Sequence, residues 1–122
     1  MPPSSGNRSS TGQAAFPGVT RKELERLSIP GDHRELVVAE VTYPPGAAAP
    51  SHRHPIGGIV YIIEGIAESA YGNDKPHQYR AGETLQDRAD VPHTFFRNID
   101  PERPLRFLTI YLIEPGQSYV TS

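Results

Sequence analysis

Apolar residues recur along the chain in short runs of period two, and turn residues cut the runs apart. RKELERLSI, RELVVAEVTY, GIVYII and IAESAY come first; HQYR, ETLQD, HTFFRN and LRFLTIYLI continue the series. PGDH, YPPG, GNDKP, NIDPERP and EPG stand between them, rich in the residues that favour turns. About eight strands are predicted. RKELERL alone also fits a helical turn, which Pro30 and Gly31 would end soon after. Regularly spaced strands without helical segments predict an all-β sandwich or barrel. No internal repeat of solenoid or propeller length is present.

Residues 1–15 are rich in Ser, Gly, Pro and Thr with almost nothing to bury, which predicts a disordered tail, and the folded domain is expected to span 16–122. At 122 residues, 36% hydrophobic and 21% charged, the chain suits one small domain with a modest core. The formal charge of −2, with Lys and Arg scattered, leaves no electrostatic footprint for nucleic acid or an anionic membrane. The first residues lack an apolar signal region and no apolar run has the length of a membrane span, so a soluble, cytoplasmic protein is expected. With no cysteine, any metal must be held by histidine and carboxylate.

Ser51 to Gly65 reads SHRHPIGGIVYIIEG, which sets His52 and His54 at the head of a β-branched run. Strand residues two apart share a face, so the two imidazoles converge. Buried imidazoles need partners, and one metal ion can serve both; a solvated pair in a Pro-rich loop is the alternative.

The surrounding pattern resembles the two-part signature of the cupin superfamily. Gly46, His52, His54 and Gly65 fall at the positions of the first motif, and Gly82 and His93 at those of the second, so the resemblance covers most of residues 36 to 113. It implies a single-domain, jelly-roll-like β-barrel in which His52, His54 and His93 hold one divalent ion, with Fe, Mn, Ni, Cu and Zn all compatible. The chain departs from the pattern in several places. The glutamate ligand, seven positions before Gly65, is replaced by Gly58. The second motif's proline and glycine are Arg88 and Asp90, and its asparagine is Arg97 with Asn98 next. Asp tolerates the left-handed conformation that glycine supplies, so Asp90 need not break the loop. Loss of the glutamate predicts a site one charge more positive and more hospitable to a bound enolate or carboxylate. Alternatively, Gly57-Gly58 widens the barrel mouth or forms a bulge.

Asp87 shares parity with the apolar Leu85 and is the candidate acid, base or orienter of a histidine, the alternative being a rim pair with Arg88 or Arg97. Phe95 shares parity with His93 and is expected in the substrate pocket with Gly58 and Arg97. Glu64, beside the turn glycine Gly65, is expected to be solvated, Tyr61 and Tyr111 to be core aromatics, and His33 and His77 to be surface residues. LRFLTIYLIEPGQSYV is apolar on both faces, more than a small barrel needs, and cupins commonly dimerise through outer strands, so a homodimer is expected.

The resemblance admits dioxygenases, lyases, isomerases, polyketide cyclases and binding modules. The leading expectation is a metal-dependent enzyme whose small enolisable or carboxylate substrate chelates the ion. Fe or Cu would favour dioxygenase-type cleavage; Zn, Mn or Ni would favour isomerisation, cyclisation or elimination. The alternatives are a non-catalytic small-molecule-binding module and an interaction protein with a degenerate site.

Overall fold

The computed structural model describes residues 17–121. The tail expected over residues 1–15, and Phe16, lie outside the described residues. Eight strands follow in chain order: β1 (Thr20–Ser28), β2 (Glu35–Tyr43), β3 (Gly58–Glu64), β4 (Ile66–Ala70), β5 (His77–Arg80), β6 (Thr84–Asp87), β7 (Phe95–Asn98) and β8 (Leu105–Ile113). Each falls on one of the predicted runs, and their pairings are antiparallel. Five strands form one sheet in the order β1-β2-β8-β3-β6, and three form a second in the order β5-β4-β7. The result is a jelly-roll-like, all-β fold. No helix of the described residues is long and apolar enough to cross a membrane.

The helical alternative for RKELERL does not occur. Its backbone pairs with β2 along the sheet edge, around a bulge between Glu23 and Glu25. Most of its side chains are exposed, and a charged edge discourages further strands from adding.

The long central strands alternate strictly. Val37, Ala39, Val41 and Tyr43 of β2 face inward, as do Leu105, Phe107, Thr109, Tyr111 and Ile113 of β8. Tyr43, Ile62, Phe96 and Phe107 meet between the sheets, with Phe96 edge-on to both Tyr43 and Phe107 at centroid distances of 5.3 Å. The chain passes from β3 in one sheet to β4 in the other at Gly65, whose φ is +90°. A Cβ there would press on the Pro104 carbonyl, so the corner needs glycine. Asp90 does adopt the left-handed conformation, at φ 58°, and its amide donates to the His54 carbonyl at 2.8 Å.

Asn98, not Arg97, turns inward and is fully buried. Its amide donates to the carbonyls of Tyr43, Pro44 and Arg103 at 3.4, 3.2 and 2.7 Å, and its Oδ1 accepts from the Asp100 amide at 3.0 Å. One side chain thereby satisfies the backbone where three connections meet. Replacing it by an apolar residue strands those groups away from water. Asn98→Leu is expected to lower stability by about 2 to 4 kcal/mol, read from urea denaturation midpoints at an unchanged slope. A midpoint equal to the wild type's would show that these bonds contribute nothing net.

Candidate metal centre

His52 and His54 do not sit inside a regular strand, as the sequence suggested, but on an extended segment just before β3. Single bridges join it to three others: His52 to His93, Arg53 to Thr121, and His54 to Ala89. The extended alternation survives, so Ser51 and Arg53 are exposed while His52 and His54 are buried. His93 joins them from the β6-β7 connection, its amide donating to the His52 carbonyl at 2.7 Å.

The three imidazoles are 7%, 4% and 3% exposed, and one nitrogen from each lies within 4.8 Å of the others. The second nitrogens are anchored. His52 Nδ1 donates to the Pro50 carbonyl at 2.8 Å and His54 Nδ1 to the Tyr119 carbonyl at 3.0 Å. A carbonyl only accepts, so each proton sits on Nδ1 and each Nε2 keeps a lone pair. His93 Nε2 is 2.8 Å from the Ser69 hydroxyl, and its ring stacks on Tyr71 at 4.0 Å. His54 Nε2 and His93 Nδ1 are buried without a hydrogen-bond partner.

Burial pushes His52 below the ordinary histidine range. Burial first, and then the neighbouring His52 and His54, lower His93 to about 2. These rings are therefore neutral at physiological pH, the form that ligates metal. Three buried imidazoles with anchored second nitrogens and two orphaned ones fit a divalent ion of the nitrogen-loving group.

Asp87 reaches the same place from β6. It is buried, and neither Arg88 nor Arg97 pairs with it: Arg88 binds Asp74 at 3.1 Å and Arg97 binds Glu68 at 3.0 Å. The Tyr71 hydroxyl donates to Asp87 Oδ1 at 2.5 Å and the Tyr119 hydroxyl to Oδ2 at 2.8 Å. Burial and the adjacent carboxylate raise both phenols above the usual tyrosine range, so both remain donors. Asp87 Oδ2 is 3.6 Å from His54 Nε2, yet Asp87 stands outside the mutual group formed by the three histidines. It is a neighbour of the metal-facing nitrogens.

Gly58 explains how this is possible. One row across the inner face of the large sheet reads Val37, Tyr111, Gly58, Asp87. The Tyr119 ring stacks on Tyr111 at 3.9 Å, and its hydroxyl fills the space that a Cβ on Gly58 would take. Gly58 is thus neither a bulge nor a widened mouth. The cross-strand carboxylate of Asp87 also undoes the extra positive charge expected from the missing glutamate.

Other expected pocket residues fall differently. Phe95 is outside the cavity, its ring under the Arg97 guanidinium at 5.0 Å, and Arg97 is exposed. The alternation slips at Thr94, whose hydroxyl bonds the Gly72 carbonyl at 3.1 Å, so His93 and Phe96, rather than His93 and Phe95, face the interior. Glu64 is solvated and paired with Arg106 at 3.1 Å. His33 and His77 are exposed, Tyr111 is core, and Tyr61 is 41% exposed instead of buried. Sequence reasoning missed Ser69, Tyr71, Tyr119 and Arg21. Ser69 and Tyr71 share a strand parity that was available; Tyr119 lies in a stretch that reads as loop.

The family model of the cupin domain matches residues 39–111, well over half of the 122-residue chain and spanning all three histidines. The chain belongs to the cupin family. Solved cupin-like structures confirm the fold. A conserved protein with a double-stranded β-helix domain from Klebsiella pneumoniae is 23% identical over 94% of this chain and 90% of that one, with a TM-score of 0.62. The polyketide cyclase RemF from Streptomyces resistomycificus is 20% identical over 84% of this cupin and 75% of RemF, with a TM-score of 0.61. The DMSP lyase DddQ from Ruegeria pomeroyi is 19% identical over 95% of this cupin and 56% of DddQ, with a TM-score of 0.66. No curated protein sequence matches.

Gly58→Ala is expected to lower this cupin's stability by about 1 to 3 kcal/mol, because its methyl overlaps the Tyr119 hydroxyl. In a Tyr119→Ala background most of that cost should vanish. Equal costs in both backgrounds, measured by urea titration, would disprove the slot.

Proposed function

We propose that this cupin is a mononuclear metal enzyme that abstracts or returns a proton at the carbon next to an oxygen of a small enolisable or carboxylate substrate. One observation carries the reading: a buried carboxylate, Asp87, stands 3.6 Å from the orphaned Nε2 of His54, inside the cavity lined by all three histidines. His52, His54 and His93 would hold a divalent ion, which when bound would polarise the substrate oxygen and stabilise negative charge on it.

The remaining roles belong to the chain. Asp87 Oδ2 takes a proton from the carbon next to that oxygen and gives it back in isomerisation, cyclisation or elimination. Tyr71 and Tyr119 hold the carboxylate from both oxygens, so it needs no reorganisation when the substrate arrives. Val60, Phe96 and Phe107 wall the cavity and exclude water, which strengthens each electrostatic contact. A polyketide cyclase and a lyase among proteins of like fold are compatible with proton chemistry at such a centre.

Protein purified without tag or chelator is expected to carry close to one metal per chain by plasma mass spectrometry, and His52→Ala/His54→Ala to lose it. The element found separates oxygen chemistry from Lewis-acid chemistry. The loaded wild type should catalyse deuterium exchange at the enolisable carbons of acetoacetate in heavy water, followed by NMR. Asp87→Asn should slow that exchange about a hundredfold while keeping its metal. Loaded protein that exchanges nothing, whatever small enolisable acids are supplied, would point to the non-catalytic binding module instead.

A second copy of this chain is the proposed partner for the outer face of the large sheet. Its cross-strand rows read Leu27, Leu36, Leu112; then Val38, Ile110, Ile59; then Leu108, Tyr61. Leu27 is 58% and Ile59 48% exposed. On the same face Arg106 bridges both Glu40 and Glu64, so these charges are largely satisfied within the sheet, and a like, self-complementary surface suits the apolar rows better than a charged partner. Light scattering should show a dimer that Leu27→Lys/Ile59→Lys converts to monomer without loss of β-sheet circular dichroism. A wild type that stays monomeric at every concentration overturns this.

A further inference from the structure

Arg21 is a half-buried cation that the proton chemistry does not use. It lies on β1, where alternation turns it inward beside Val19, and its cross-strand partner Val41 is buried. Both Arg21 and the three histidines line the same cavity, which holds about 480 Å³ counting its open mouth. Among the described residues no salt bridge joins a carboxylate to the Arg21 guanidinium, which lies over the Tyr111 ring at 5.2 Å. Glu23, the acid nearest along the strand, is committed to Arg26 through bonds of 3.1 and 2.7 Å. Burial lowers the guanidinium to about 10 against the opposing field of Glu23, so it is still charged at neutral pH.

A half-buried charge held by no salt bridge adds little to a fold, and an apolar residue of similar volume would serve packing at least as well. Such groups persist where a ligand supplies the missing charge. The geometry links Arg21 to the centre. Tyr111 beneath the guanidinium stacks on Tyr119, and the Tyr119 ring packs on His54 at 4.5 Å. Thr109, one inward position along β8 from Phe107, lines the same cavity with its hydroxyl buried and unpartnered. A cation and a neutral donor therefore face a cavity whose other walls are mainly Val19, Val41, Val60, Phe96 and Phe107.

We propose that Arg21, with Thr109 as a neutral donor on the same wall, is the anion-binding end of the cavity, and that the ligand is a short apolar acid carrying a carboxylate there. A guanidinium matches a carboxylate in a two-point fork, and its single charge balances one carboxylate. A phosphate dianion would bring a second charge with nothing to meet it. The inference deepens the metal-enzyme reading by naming the substrate's remote group: the carboxylate sits at Arg21 and the reacting carbon at the histidine floor. The anion site itself needs no metal.

The test uses butyrate, its neutral analogue butyramide and inorganic phosphate, with calorimetric titration and thermal melting of metal-free and metal-loaded protein. Wild type should bind butyrate in preference to both other probes and melt higher in its presence. Arg21→Met should melt higher than wild type without ligand, keep the wild-type metal content and lose about tenfold or more in butyrate affinity. Thr109→Val should lose less. Arg21→Lys, which keeps the charge but not the fork, should fall between wild type and Arg21→Met, and it carries the test if the Met variant does not fold. Equal binding of butyramide, tighter binding of phosphate, or unchanged butyrate affinity in the Arg21 variants overturns the proposal. Failure of metal uptake in all proteins would sink the enzyme reading while the metal-free titrations still decide Arg21.

Discussion

A carboxylate buried between two β-sheets must be given hydrogen-bond donors, and meeting that need shapes the interior of this protein. Asp87 hangs from β6 of the large sheet. Tyr71, just beyond β4 of the small sheet, donates to one of its oxygens, and Tyr119, near the C-terminus, donates to the other. Two sheets and the last segment of the chain are thus tied at one point. Gly58 is the concession that permits it, since any side chain there would displace the Tyr119 ring. The glycine in the family's glutamate place and the tyrosine that fills its space are one feature.

The same node disciplines the histidines. Tyr119 accepts from His54 Nδ1 through its carbonyl while its ring packs on the imidazole, and Tyr71 stacks on His93. Each contact restricts a ring orientation, so the lone pairs of His54 and His93 are aimed and left unmet. Leaving buried polar atoms unsatisfied costs about 1 to 3 kcal/mol apiece. The orphaned side-chain atoms found among the described residues, on His54, His93 and Thr109, all line one cavity, and Arg21 adds a cation to its lining. A fold that concentrates its unfavourable terms in one place is organised around something that binds there.

The fold does not choose the reaction. Structures of similar shape include a cyclase and a lyase at about 20% identity, which is agreement of backbone architecture alone. What individualises this cupin is the side-chain chemistry of the wall: a carboxylate on β6 in cross-strand register with the position that lost one, and a cation on β1 lining the same cavity.

Much of this was legible in the chain itself. Period-two alternation and the turn residues located eight strands, because side-chain direction in a strand is set by local geometry alone. His52, His54 and His93 were readable from motif spacing, and Asp87 from its parity with Leu85. Local parity failed around Thr94, where the phase shifts and Phe96 takes the inward place expected of Phe95. It could not have found Tyr119 or Arg21 at all. Tyr119 approaches Gly58 across roughly sixty positions of chain, and Arg21 reaches the histidines' cavity from the edge strand β1. Side-chain direction is a local property and survives in sequence, whereas which groups meet across the sheets, and which are left without a partner, is decided only when distant segments close on one another.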